Sequence, residues 1–273
     1  MRIVNLIEDT PGAAGCRYEH GLSFYVETKK HKLLLDTGAT ELFLENAKKL
    51  GIDLTQVDTV ILSHGHYDHS GGILAFAKIN PRAQIYLQRK AGLDYYSLKD
   101  NQEKYIGIDK RILALPQVQL LDGDYRIDEE LFLFTGITGR KYFAKSNLLL
   151  KSKNEDGFVQ DEFEHEQCLV ITQEGQQILM SGCAHNGILN ILEAYGQRFD
   201  GQPDMVISGF HMMQKAAFDE EDILIIRETA RELQKMDTMF YTGHCTGEAA
   251  FAIMQEILQK KLCLIHSGMT LCE

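Results

Sequence analysis

Apolar residues along this chain follow two different periods. Three early runs, RIVNLI (2–7), LSFYVET (22–28) and HKLLLD (31–36), are short and rich in β-branched and aromatic residues, which predicts strands. Between 40 and 50 the period changes. Phe43, Ala47 and Leu50 fall four and three apart, which predicts a helix with Thr40 as N-cap and Gly51 as its stop. DTVILS (58–63) predicts a short buried strand, and GILAFAK (72–78) the start of a helix. Further on, CLVITQEGQQILMSG (168–182) predicts two strands turning at Glu174-Gly175. A helix (186–196), a strand DMVIS (204–208), a helix over about 220–236, a strand DTMFYTG (237–243), a helix from Thr246 and a strand KLCLIH (261–266) complete the series. In the long helix, Ile223, Ile226, Ala230 and Leu233 keep helical spacing.

Strand-rich halves, each with helices, predict an α/β arrangement of two packed sheets with helices outside. No Pro/Gly/Ser-rich linker divides the 273 residues, so a single domain over 1–273 is expected. Two stretches break the pattern. Residues 90–116 mix aromatics with charges and read as an insertion or lid. Residues 151–167 are strongly acidic and read as a loop.

Composition narrows the partners. Lys+Arg 28 against Asp+Glu 39 gives a net charge of −11, which argues against nucleic acid or an anionic membrane as the main partner. A local cationic metal site could still attract an anionic small molecule. There is no apolar run of membrane-spanning length and no signal-peptide core. Six cysteines without CxxC or scaffold spacing predict reduced thiols and a cytoplasmic protein. Oligomeric state is not legible in the sequence.

The chemistry concentrates in SHGHYDHSGG (63–72). His64, His66, Asp68 and His69 bring four ligand-type side chains into six positions, directly after a buried strand. His64 and His66, two apart on a turn, can share one metal, whereas Asp68 and His69 are adjacent, diverge, and suit a second. Imidazole and carboxylate together suit zinc, and also iron, manganese or nickel. Four ligands do not complete two sites. Three distal histidines follow apolar strands and a glycine: His185 in ILMSGCAHNG, His211 in MVISGFHMM and His244 in MFYTGHCTG.

Taken together, LLLDTG, ILSHGHYDHSGG, SGCAHNG and YTGHCTG resemble the metallo-β-lactamase superfamily. DTPG, EHGLSFYVET, FLENAKKLGIDL and SGFHMM narrow this to a resemblance to the subfamily labelled 7,8-dihydropterin-6-methyl-4-(β-D-ribofuranosyl)aminobenzene-5′-phosphate synthase-like. The resemblance implies a four-layer αββα sandwich with the metal site at one edge of the sheets. It implies two divalent cations, zinc before iron, manganese or nickel. One would be held by His64, His66 and His185, the other by Asp68, His69 and His244. Asp36 of LLLDTG would stand behind the cluster, and His20 near the pocket. One departure is visible. Where many members carry a bridging Asp after a Gly, this chain has Cys183 and then His185. Cys183 is a thiolate ligand or, the commoner outcome for a buried cysteine, packing.

The expected activity is that of a metal-dependent hydrolase. Metal-bound hydroxide would attack a small ester, phosphoester or lactone, with a pterin- or ribosyl-phosphate-related substrate suggested by the resemblance. Asp68 and His211 are the candidate catalytic side chains, His211 either facing substrate as a proton or hydrogen-bond donor or serving as a ligand. The alternatives are a di-iron redox or oxygen-handling protein on the same fold, and a non-enzymatic metal- or ligand-binding protein. His165 is expected to be solvated, His31 and His266 structural, and Tyr95, Tyr96 and Tyr105 a packing cluster.

Overall fold

The computed structural model describes residues 1–13, 15–99, 102–214 and 216–272. Strands and helices are numbered along the chain. One seven-stranded sheet contains β1 (Arg2–Ile7), β2 (Ser23–Glu27), β3 (Lys32–Leu35), β4 (Thr59–Ile61), β5 (Gln84–Gln88), β8 (Val118–Leu121) and β18 (Thr270–Cys272), in the order β18-β1-β2-β3-β4-β5-β8. The other contains β9 (Tyr125–Arg126), β10 (Leu131–Phe134), β13 (Cys168–Gln173), β14 (Gln176–Met180), β15 (Met205–Ile207), β16 (Met239–Thr242) and β17 (Leu262–Leu264), in the order β17-β16-β15-β14-β13-β10-β9. The helices are α1 (Leu42–Lys49), α2 (Tyr67–Ser70), α3 (Ile73–Ile79), α4 (Ile188–Gly196), α5 (Glu220–Gln234) and α6 (Glu248–Leu258).

Alternation along the strands explains the layering. Val4, Leu6 and Leu34 point into one apolar cluster with Phe43, Ala47, Ile73 and Phe76 of α1 and α3. Their neighbours Ile3, Leu33 and Leu35 point the other way, into a cluster with Leu169, Ile171, Ile178 and Met180 of the second sheet. From that sheet Val170, Leu179, Val206 and Phe240 turn outward to Ile191, Ala230, Leu233 and Met254 of α4, α5 and α6. Three apolar interlayers separate four layers, helix, sheet, sheet, helix, as the resemblance implies.

Both irregular stretches contain strands. Residues 90–116 include β6 (Tyr95–Lys99) and β7 (Gln102–Tyr105), while the acidic stretch contains most of a hairpin, β11 (Leu150–Asn154) and β12 (Gly157–Gln160). They join as a third sheet in the order β12-β11-β6-β7. The loop expectation is therefore corrected for 151–160 and holds for 161–167. Charge masked the signal, because both strands are partly exposed and carry lysines and glutamines where a buried strand would be apolar. Asp100 and Asn101, within 90–116, lie outside the described residues. No helix among the described residues is long and apolar enough to cross a membrane.

In each large sheet four adjacent strands, from the middle to one edge, run parallel: β3, β4, β5 and β8 in one, β14, β15, β16 and β17 in the other. Pairing of Met180 with Ile207, and of Ile207 with Tyr241, makes β14, β15 and β16 end nearly level. Ser-Gly, Ser-Gly and Thr-Gly then stand side by side, each leading to a histidine within three residues. Carboxyl ends of parallel strands are where such sheets form ligand sites.

Candidate metal centre

The loops after β3 and β4 of one sheet and after β14, β15 and β16 of the other meet at one edge. Close approach requires glycine there. A Cβ on Gly182 would collide with Ser63 Oγ and His64 Nδ1. The turns are tight enough to place non-glycine residues in the left-handed region: Asp36 at φ 60°, Ala184 at 48°, His211 at 49° and His244 at 48°. Such conformations cost on the order of 1 kcal/mol each, so the surrounding packing must hold them.

Four imidazoles are pinned in the same sense. His69 Nδ1 lies 2.6 Å from Asp36 Oδ2, and a carboxylate only accepts, so Nδ1 carries the proton and Nε2 keeps its lone pair. Asp36 Oδ2 also accepts from Ser63 Oγ at 2.6 Å, which leaves that hydroxyl to accept from His64 Nδ1 at 2.9 Å. His185 Nδ1 donates to Asn147 Oδ1 at 3.0 Å, and His244 Nδ1 to Asp9 Oδ1 at 2.6 Å. In each ring Nε2 is the nitrogen left to face the centre. Metal-binding histidines are commonly oriented this way by a partner on the other nitrogen.

Several of the ring nitrogens gathered there lack hydrogen-bond partners. His64 Nε2 and His185 Nε2 lie 3.3 Å apart. Burial, with neighbouring histidines adding to it, drives both imidazoles well below their ordinary pKa, so two lone pairs face each other. Burial, reinforced by His165, pushes His66 down to about 3. The buried atoms His66 Nε2, His244 Nε2 and His211 Nδ1 have no hydrogen-bond partner. Orphaned nitrogens in a dry cluster are what a divalent cation would satisfy, and the residues present therefore fit the group.

Asp68 forms the other half. Its Oδ2 lies 3.3 Å from His20 Nε2, 3.5 Å from His244 Nε2 and 3.9 Å from His69 Nε2. Burial alone would raise the Asp68 carboxyl, but His244 and His69 outweigh it and hold it far below the usual carboxylate range. Asp9 ties His20 and His244 together, accepting from His20 Nδ1 at 2.8 Å through its second oxygen. That bond raises the His20 imidazole above its ordinary value against burial. The buried Glu8 accepts the backbone N–H of His244.

Of these, His20, His66, Asp68, His185 and His244 line an open cavity of about 560 Å³. His211, whose ring centroid is 4.0 Å from that of His185, lies on its wall. Ser97, Gln102, Lys104 and Leu150 of the third sheet form the opposite rim.

Known proteins resemble this chain in sequence and in fold. Residues 17–142 match the family model of the metallo-β-lactamase superfamily. The chain is 30% identical to 7,8-dihydropterin-6-methyl-4-(β-D-ribofuranosyl)-aminobenzene-5′-phosphate synthase of Methanocaldococcus jannaschii, over 98% of this chain and 95% of that one. The chain belongs to the metallo-β-lactamase superfamily. Among solved structures of the superfamily it resembles Tm1679, a metal-dependent hydrolase, with 30% identity, a TM-score of 0.82 and coverage of 100% of this chain and 99% of that one. Zn2+-bound PqqB from Methylobacterium extorquens shares the fold at 15% identity and a TM-score of 0.57, with full coverage of both chains.

Within this superfamily framework the structure brings His64, His66, Asp68, His69, His185 and His244 to one centre, with Asp36 behind it and His20 and His211 at its edge. Two readings change. His165 is buried, not solvated. Its Nδ1 accepts from Gly65 N at 2.9 Å and its Nε2 donates to Asp161 Oδ2 at 3.1 Å, so it holds the loop between His64 and His66. Acidic neighbours in EFEHE disguised it. Cys183 is buried as expected, but its sulfur is not packed only against apolar groups: Sγ lies 3.2 Å from His69 Nε2. Asn147, Asp9 and Glu166 were not legible as site residues. Glu166 accepts from the backbone N–H of His185 at 2.7 Å. Only the "ED" that follows β1 and the "EHE" run bear on Asp9 and Glu166, and nothing local marks Asn147. Tyr96 packs edge-on against Tyr105 and Phe158, and the buried Tyr95 stacks near His165.

Proposed function

We propose that this chain is a metal-dependent hydrolase of small anionic ester, phosphoester or lactone substrates. One divalent cation would be held by His64, His66 and His185, and a second by Asp68, His69 and His244. The observation that carries this reading is the set of four imidazoles fixed through Nδ1 so that their Nε2 atoms converge. Cations there, zinc being the best match to the donors, supply Lewis acidity toward a substrate oxygen and lower the pKa of water.

The chain's own groups do the rest. Asp68, kept ionised, accepts a hydrogen bond from water or substrate on the cavity floor. His211, on the cavity wall, donates to an oxygen that gains charge or to the leaving group. His20 and Lys104 bring positive charge to the rim of an otherwise acidic molecule. Lys104 Nζ donates to the Tyr67 hydroxyl at 3.2 Å and lies 4.7 Å over its ring, and among the described residues it has no carboxylate partner. The third sheet, which carries Lys104, acts as the lid over the centre. The name of the M. jannaschii relative makes pterin- and ribosyl-phosphate compounds the first substrates to try, and its being a synthase makes condensation the second reaction to assay. The small rim and the net charge of −11 disfavour nucleic acid.

The test is elemental analysis of the loaded protein, then a panel of phosphoesters, lactones and carboxylic esters with the His66→Ala variant alongside. Two bound cations per chain and turnover lost in the variant are expected. Fewer than one cation at saturation, or full turnover by His66→Ala, defeats the reading.

A further inference from the structure

His211 is aimed differently from the other imidazoles of the site. Those of His64, His69, His185 and His244 are each turned by a partner on Nδ1. His211 Nδ1 is buried and has no hydrogen-bond partner. The ring lies against that of His185, with centroids 4.0 Å apart and planes at 49°, a contact that confines it without choosing which way its nitrogens face. Its aim is therefore left to its backbone, which stands in the left-handed region at φ 49°. For a residue with a Cβ that conformation is strained, and the surroundings must hold it.

Hydrogen bonds hold it on both sides. Phe210 N donates to Thr246 Oγ1 at 2.8 Å, and Met213 N to the Cys245 carbonyl at 2.8 Å, which ties the loop after β15 to the loop after β16. The carbonyl of His211 itself accepts from Ser146 Oγ at 3.2 Å, a partner 65 residues away along the chain. Ser146 is fixed by its own neighbours. Lys145 Nζ lies 2.8 Å from Asp219 Oδ2 and 2.8 Å from Glu221 Oε2 at the start of α5. Asn147, buried, donates through Nδ2 to the His185 carbonyl at 2.8 Å and accepts from His185 Nδ1 at 3.0 Å. Three consecutive residues thus grip three elements: the start of α5, the His211 loop and the His185 loop.

We propose that Ser146 is a positioning residue for His211, an inference that rests on the donor role given to His211 above. Its hydroxyl donates to the His211 carbonyl and so fixes the peptide that follows the ring. Without that bond the strained backbone relaxes, and the ring turns with it, because nothing on Nδ1 resists. The step served by His211 then slows. Cation binding is spared, because Asn147 still holds His185.

The test is a double-mutant cycle on the full-length Zn2+-loaded chain, with Ser146→Ala, His211→Ala and the double variant, beside NMR of the metal-free chain carrying 13C-labelled histidine. Ser146→Ala should bind as much Zn2+ as wild type and lose about tenfold in kcat with KM nearly unchanged. It should cost nothing further when added to His211→Ala, because it acts through that ring. In the spectrum the His211 ring signal, identified by its absence in His211→Ala, should move in Ser146→Ala while those of His64, His66 and His69 stay. Ser146→Thr, which keeps the hydroxyl, should restore both the signal and kcat. Losses that add in the double variant, a His211 signal that stays in place in Ser146→Ala, or bound Zn2+ that falls along with kcat each overturn the proposal. If wild type turns over no substrate but the His211 signal moves and Ser146→Thr restores it, the hydrolase reading fails and the positioning stands.

Discussion

Asp36→Asn separates orientation from mere packing. The wild-type carboxylate is fully buried and accepts three hydrogen bonds: from Ser63 N at 2.7 Å, Ser63 Oγ at 2.6 Å and His69 Nδ1 at 2.6 Å. The amide can keep its oxygen toward Ser63 N. Its NH2 then replaces Oδ2, facing two groups that donate. His69 must either lose the contact or move its proton to Nε2, the atom that faces the centre. Loss of such an orienting partner costs about 10- to 100-fold in metal affinity, which is about 1.4 to 2.7 kcal/mol. Exchange of charge-assisted bonds in the metal-free protein costs about 2 kcal/mol of stability, or about 4–8 °C in Tm at this chain length. Competition against a chromophoric chelator resolves the two stepwise constants. The cation served by His69 should weaken most, and the one served by His64, reached through Ser63, less. If the variant binds both cations as tightly as wild type, Asp36 does not set the His69 tautomer and the orientation argument is wrong.

Three further outcomes are expected. His31 bridges Asp58 and Asp128, at 2.8 and 2.9 Å, and so links the two large sheets. Burial opposes its charge, but the two carboxylates prevail and raise its pKa. Its contribution, about 1 kcal/mol after solvent screening, is therefore fully present below about pH 6.5 and is lost as pH rises through the raised folded value. Urea melts of wild type and His31→Gln should converge as pH increases, and a gap that widens would contradict the sign. Lys104→Gln should raise KM for anionic substrates about tenfold or less while sparing kcat. A fall in kcat with KM unchanged would place Lys104 in the reaction instead of the rim. His165→Phe should leave the buried Gly65 N–H without its acceptor and cost about 1–3 kcal/mol, with metal affinity reduced. His165→Gln, which can still accept, should recover part of both, and equal loss in the two variants would assign His165 to packing alone.

The sequence by itself determined the alternation of strands and helices and brought forward the six donors proposed for the centre. Strand and helix periods are local consequences of burial on one face, and HxHxDH concentrates its donors within one loop, so neither needs distant contacts to be seen. The glycine-then-histidine pattern after three strands was also legible, because parallel strands that end level deliver equivalent positions to one place. The tertiary structure alone decided what stands behind those donors. Asn147, Asp9, Glu166 and His165 each sit far along the chain from the residue they hold, in polar surroundings that resemble exposed loop. The position of Cys183 was decided in the same way. Its burial could be guessed from type, but what its sulfur faces depends on two sheets packing face to face so that their loops meet. Hydrophobic periodicity records which side of an element is buried. It carries no record of which polar atoms meet across the gap, because that is fixed only when both sheets are in place.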